Sequence, residues 1–190
     1  MIRVFILLMA VLLSLSSCTM PSANKRISEE CGKVYGQQIT LSLDSMECLP
    51  SDSLRMSYDY KYVVFVDSTE CSPCQLNSLA IWESYEKLME KYGGHFGLYF
   101  IFSPKLSDME KLSEMLTVGK FPFPVYLDKK HLFRRENPIL FGKYSFKCFL
   151  LDDRNCVTLV GNPLKNEKVD ELLKKVLSER LGTDKNIQSE

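Results

Sequence analysis

The sequence has no surplus of either charge. Its 190 residues carry 24 basic and 24 acidic side chains, so the formal net charge is zero. Phosphate backbones are bound through a basic excess, and its absence argues against nucleic acid as a partner. Histidine is scarce: only His95 and His131 occur. No internal repeat or low-complexity tract is present. The apolar run Val4 to Leu13 is ten residues long. As a helix it falls well short of a hydrocarbon core of roughly 30 Å, which argues against a permanent transmembrane anchor. What is present is ordinary for a folded chain. Hydrophobic residues make up 45% and charged residues 25%, which excludes disordered and collagen-like chains. The length suits one compact domain. Seven cysteines are too few for a disulfide-built mini-protein of this size, but enough to raise the question of redox chemistry.

The first residues read as an address. Met1-Ile2-Arg3 is a positive start, Val4 to Leu13 is the apolar core, and Ser14 to Cys18 supplies small residues. This is the pattern of a secretory signal over residues 1–17. Leu15-Ser16-Ser17-Cys18 resembles the bacterial lipobox. That implies cleavage before Cys18, lipidation of Cys18, and attachment of the mature chain to a membrane through acyl chains. Thr19 carries no signal for inner-membrane retention, so inner and outer membrane both stay open. Residues 18–28 read as a lipidated tether, 29–59 as an N-terminal extension with an early strand, 60–182 as the folded domain, and 183–190 as a flexible tail.

The domain alternates strands and helices. Ile39 to Leu43 reads as a short early strand, and Tyr60 to Val66 and Gly97 to Phe102 as buried strands. A helix is expected from about Pro73 to Tyr92. Its inward stripe is Ile81, Tyr85, Leu88 and Tyr92, widened by Trp82 and Met89, and Gly93-Gly94 ends it. Ser107 to Glu110 reads as a capping box before a helix with Met109, Leu112 and Leu116 inward. Val125 to Leu127 continues the strand pattern. Tyr144 to Leu151 and Cys156 to Val160 flank a turn at Asp152 to Asn155, a register that sets Leu151 opposite Cys156 and Cys148 opposite Leu159. The last helix spans about Glu167 to Leu181, capped by Asn166 and stopped by Gly182. Its inward residues are Val169, Leu172, Leu173 and Val176. Alternation of this kind gives an α/β fold: a central mixed sheet with helices on both faces, closed by a C-terminal hairpin and helix.

Cys71-Ser72-Pro73-Cys74 follows the Tyr60 to Val66 strand directly. Functional groups in such sheets gather beyond the carboxyl ends of strands. Pro73 suits the first helical turn. Cys71 then stands outside a helix N-terminus, where the dipole favours a thiolate. Cys74, seven residues before Ile81, shares the inward stripe and is shielded. An attacking thiolate with a resolving thiol close by is the requirement for disulfide exchange.

Here the chain resembles the thioredoxin-like superfamily, and within it the membrane-anchored thiol-disulfide oxidoreductase-like lipoproteins of Gram-negative bacteria. The likeness runs from about Tyr60 to Leu181 and rests on VVFVDSTECSPC, FPFPVYLD and FLLDDRNCVTLVGNP. It implies a thioredoxin-like fold in the cell envelope, lipid-anchored and facing the periplasm. Cys71 would be the nucleophile and Cys74 the resolving cysteine. Partners would be proteins offering thiols or disulfides and a redox partner protein, with neither metal nor cofactor. The segment Phe121-Pro122-Phe123-Pro124 would rim the site. Three positions depart from the family pattern. Glu70 precedes Cys71 where Trp is usual, and a carboxylate there raises the thiol pKa by repulsion. Phe65 replaces a buried acid, with Asp67 on the same sheet face as a substitute. Phe146 stands where the family has a cis-proline, which alters how a substrate docks. Glu70, Pro73 and Phe146 are therefore the candidate binding residues around the cysteines.

Other readings compete. A structural Cys71–Cys74 disulfide in a non-catalytic binding module is one. Zinc lacks a second ligand pair at the right spacing. Haem attachment needs His where Gln75 stands. A peroxidase pattern finds Ser68 but meets Val64 where it needs Pro. Cys31 and Cys48 bracket the early strand and are candidates for a loop-closing disulfide, while Cys148 and Cys156 read as buried hydrophobes. His95 and His131 read as solvated, and Lys129, Lys130, Arg134 and Arg135 as a wet face.

Overall fold

Apart from Lys61, Tyr60 to Val66 is aromatic and β-branched, so it buries both faces as a central strand. In the computed structural model, which describes residues 23–49, 57–70, 72–77, 79–118, 121 and 123–182, this is β2. The signal, Cys18, Cys71, Pro122 and the tail 183–190 lie outside the described residues. In chain order the elements are α1 (Ala23–Val34), β1 (Glu47–Leu49), β2 (Tyr60–Val66), α2 (Ser72–Asn77), α3 (Glu86–Lys91), β3 (Phe96–Phe102), α4 (Met109–Val118), β4 (Val125–Leu127), α5 (Leu132–Glu136), β5 (Cys148–Leu151), β6 (Val157–Val160) and α6 (Glu167–Leu181).

The sheet order is β1-β4-β3-β2-β5-β6. β2, β3 and β4 are parallel, β5 pairs antiparallel with both β2 and β6, and β1 closes the far edge antiparallel to β4. This is the expected α/β arrangement, a central mixed sheet with helices packed on it. Strand alternation divides the core in two. Tyr62, Val64, Leu98 and Phe100 point to one face, beneath Leu76, Trp82, Leu112, Leu116, Leu173 and Leu177. Val63, Phe65, Tyr99, Ile101 and Phe149 point to the other, covered by Val34, Ile39, Leu41, Met46, Phe133 and Leu140. The N-terminal extension thus serves as the lid of the second core.

Several expected elements shift. Helix α1 covers the second half of the stretch read as a tether. The early strand is not at Ile39 to Leu43. Gln38 makes only an isolated bridge to Cys156, Ser42 turns left-handed, and Leu43–Ser45 is a 3-10 turn. The paired strand is Glu47–Leu49. The long helix after the cysteines breaks into α2, a 3-10 stretch Leu79–Tyr85, and α3. Tighter winding moves the inward phase, so Trp82, Tyr85 and Tyr92 are buried while Ile81 is 59% exposed. Ser107 forms no capping box, because Leu106–Asp108 is a 3-10 turn and Ser107 bonds Asp108. Asp152 to Asn155 does form the hairpin turn: Asp152 accepts from the N–H groups of Arg154 and Cys156. A shift between Leu150 and Leu151 changes the register, placing Leu151 opposite Val157 and Leu150 opposite Leu159.

In α6 the Asn166 cap accepts from Lys168 and Val169. Leu173 and Leu177 are buried, whereas Leu172 is 47% exposed. Leu173→Ala is therefore expected to lower stability by about 2–5 kcal/mol and Asn166→Ala by about 1 kcal/mol. Leu172→Ala stays within about 0.5 kcal/mol of wild type. Urea denaturation followed by circular dichroism checks all three, and a large loss at Leu172 would contradict this packing.

Candidate functional site

β2 ends at Val66, and the next four residues are folded by one carboxylate. Asp67 accepts from the Thr69 N–H at 2.8 Å and from the Thr69 hydroxyl, while the Glu70 N–H donates to the Asp67 carbonyl at 3.1 Å. Such an Asx turn lets a short acid replace a backbone turn partner. Asp67 is only 4% exposed. Two cations answer its charge: Lys147 Nζ at 3.0 Å and Arg134 at 3.2 Å. Lys147 also reaches Glu70 at 2.6 Å. Burial pushes the Asp67 carboxyl up, but its hydrogen bonds from Thr69 and Lys147 outweigh that and hold it below the ordinary carboxylate value. Burial pushes the Lys147 ammonium down, and bonds to Glu70 and Asp67 outweigh it in the other direction.

The site residues fall as follows. Cys71 lies outside the described residues. Pro73 sits in the first turn of α2, as expected from the backbone. Cys74 is disulfide-bonded. It is exposed rather than shielded, because α2 ends at Asn77 and the stripe through Ile81 that was to bury it does not form. Helix α2 is six residues long, so the dipole available at its start is smaller than that of the long helix expected. Phe146 is half-buried, its N–H bonded to the Leu140 carbonyl at 2.8 Å. Glu70, Cys74, Phe146, Lys147, Cys148 and Lys165 line one cleft of about 600 Å³, with Ile81 and Trp82 on its apolar side. Among the described residues, Phe121 and Phe123 do not line it. They pack on the core, with Phe123 5.4 Å from the Phe100 ring.

The other described cysteines, Cys31, Cys48, Cys148 and Cys156, are in no disulfide. Cys31 and Cys48 therefore form no loop-closing disulfide. Cys148 is more than a buried hydrophobe, since it forms part of the cleft wall. Burial pushes its thiol up to about 11. It is bonded to the Tyr62 hydroxyl, which itself donates to the Gly161 carbonyl at 2.5 Å. Gly161 in turn donates its N–H to the Cys148 carbonyl at 2.9 Å. Its φ of +128° and a Val169 methyl 2.9 Å from where a Cβ would sit suit glycine alone.

The charged network escaped sequence reasoning. Asp67 was visible through strand alternation, but Lys147 is 80 positions downstream by number and meets it only through β2–β5 pairing. The available signal was its place beside Phe146. Arg134 is not simply a wet-face residue, as it pairs with Asp67 and lies over the Phe141 ring. Each histidine has a partner: His131 is 2.5 Å from the Ser103 hydroxyl, and His95 is 2.6 Å from Asp59.

No family model matches the chain, and no curated protein does. Several solved structures align with the chain at low identity. One is a candidate thiol:disulfide interchange protein, DsbE, from Chlorobium tepidum, at 20% identity, covering 75% of this chain and 97% of that one with a TM-score of 0.49. An uncharacterised thioredoxin-like protein from Porphyromonas gingivalis has 18% identity, coverage of 78% and 94%, and a TM-score of 0.48. The exposed lipoprotein thioredoxin Etrx1 from Streptococcus pneumoniae has 16% identity, coverage of 64% and 87%, and a TM-score of 0.44. Among the described residues, no helix is long and apolar enough to cross a membrane.

A carboxylate held below its ordinary pKa stabilises the fold fully above that ordinary value, near pH 4, and the contribution disappears as pH falls through the lower folded value. Asp67→Asn should therefore lower stability at pH 7 and flatten its decline between about pH 5 and pH 2. Urea midpoints measured across that range give the result, and parallel acid limbs for variant and wild type would remove Asp67 from its anchoring role.

Proposed function

We propose that the protein exchanges disulfides with exported proteins through Cys71 and Cys74. The observation that carries this reading is the state of Cys74. It is disulfide-bonded and exposed on a cleft beyond the end of a central strand, while the other described cysteines are in no disulfide. We assign Cys71 as its mate, three residues before it. In the reduced pair, the Cys71 thiolate attacks a substrate disulfide and expels one substrate thiolate, forming a mixed disulfide. Cys74, deprotonated, then attacks the Cys71 sulfur and expels the substrate's second thiolate. Two electrons pass to the substrate and the Cys71–Cys74 bond closes. Run backwards, the same steps oxidise a dithiol. A redox partner protein resets the pair.

Lys147 supports this chemistry. Glu70 would oppose a thiolate at the next residue, but its charge is answered at 2.6 Å. The signal and the lipobox support an envelope location in a Gram-negative bacterium, with Cys18 lipidated and the domain facing the periplasm.

Cys71→Ser should abolish insulin reduction, and Cys74→Ser should accumulate mixed disulfides visible on non-reducing gels. If both single variants reduce insulin as well as wild type, the exchange reading is lost, and a fold-only binding module with a structural disulfide takes its place. Cys18→Ser should remove labelling by radioactive palmitate; a mutant that still takes the label would reject lipidation at Cys18.

A further inference from the structure

We infer that Lys165 is a specificity-determining residue of the cleft, favouring substrate segments that carry a carboxylate close to the disulfide. This rests on the exchange reading above. Lys165 stands in the turn between β6 and α6, which is pinned by two bonds: the Leu164 N–H to the Asn162 side chain at 2.9 Å and the Lys165 N–H to the Asn162 carbonyl at 3.2 Å. Its side chain lines the cleft that also holds Cys74. Among the described residues no carboxylate pairs with it. Its ammonium acts electrostatically on the Cys148 thiol, which marks how far the charge reaches into the cleft.

The other charges near the cleft cancel. Asp67 and Glu70 are matched by Lys147 and Arg134. Lys165 is thus the uncompensated charge, and a passing polypeptide meets a net positive wall. Ile81, Phe146 and Leu164 line the same cleft, so the segment that fits is extended, with an apolar side chain against these residues and an acid within reach of Lys165. Opposite charges raise encounter rates and like charges suppress them, both falling with salt.

The test uses the full chain and three disulfide-bridged peptides differing only in one residue two positions from a cysteine: Asp, Ser or Lys. Initial exchange rates are compared at low and high salt. The Asp peptide should react about fivefold faster than the Lys peptide at low ionic strength, and the ratio should fall towards one at about 1 M salt. In Lys165→Glu the order should invert. Exchange of the Ser peptide without any charge preference, or a preference that Lys165→Glu leaves in place, would overturn the role of Lys165 while leaving the exchange reading intact. No exchange with any of the three would sink both.

Discussion

The ammonium of Lys147 lies between Asp67 and Glu70, and the geometry of the cleft depends on it. Antiparallel pairing of β2 with β5 continues past the strand ends: the Phe65 N–H donates to the Lys147 carbonyl at 2.8 Å. That brings the exit of β2 and the approach to β5 side by side, although they are far apart in sequence. A carboxylate as buried as Asp67 is tolerated only when its charge is met and its lone pairs are used. Lys147, Arg134 and Thr69 do both. In exchange, Asp67 folds residues 67–70 into one conformation. The loop that leads into the cysteines and the cation that offsets Glu70 are therefore a single device, and neither makes physical sense without the other.

This device sits at the rim of two unequal cores. One core is covered by segments that follow the cysteines, chiefly Leu76, Trp82 and α6. The other is covered largely by residues that precede β2, from Val34 to Cys48, together with Phe133 and Leu140. The cleft opens at the C-terminal end of β2, with Trp82 of the first cover forming part of its wall. Its far wall is fixed by the Tyr62–Gly161 bond, which ties the turn after β6 to the central strand. Lys165 is four residues beyond that tie, so its position in the wall follows from it.

The strands were legible because their composition is extreme. Apart from Lys61, Tyr60 to Val66 and Phe96–Phe102 are apolar on both faces, and only a covered central strand tolerates that. Helix α6 was legible because cap, stripe and stop agree. The region behind the cysteines was not. Periodicity from Pro73 to Tyr92 reads as one helix, and no residue there announces the 3-10 winding at Leu79–Tyr85 that exposes Ile81 and leaves Cys74 open. Position 151's partner was also missed, because a bulge between Leu150 and Leu151 leaves no mark in composition. The Asp67–Lys147 contact was illegible for a different reason. It is a product of register, and register becomes known only once the sheet is assembled.

A thiol in the wall of a cleft that also holds a disulfide-bonded cysteine would ordinarily invite shuffling, because any thiolate within reach can attack a neighbouring disulfide. Cys148 is kept out of that competition by its surroundings. With a pKa of about 11, roughly one molecule in ten thousand carries the thiolate at pH 7. Burial is what raises this pKa, and it outweighs the Lys165 charge and the bond from the Tyr62 hydroxyl, both of which favour the thiolate. An exchange rate follows the thiolate fraction of the attacker, and on that ground Cys148 is a poor attacker at neutral pH.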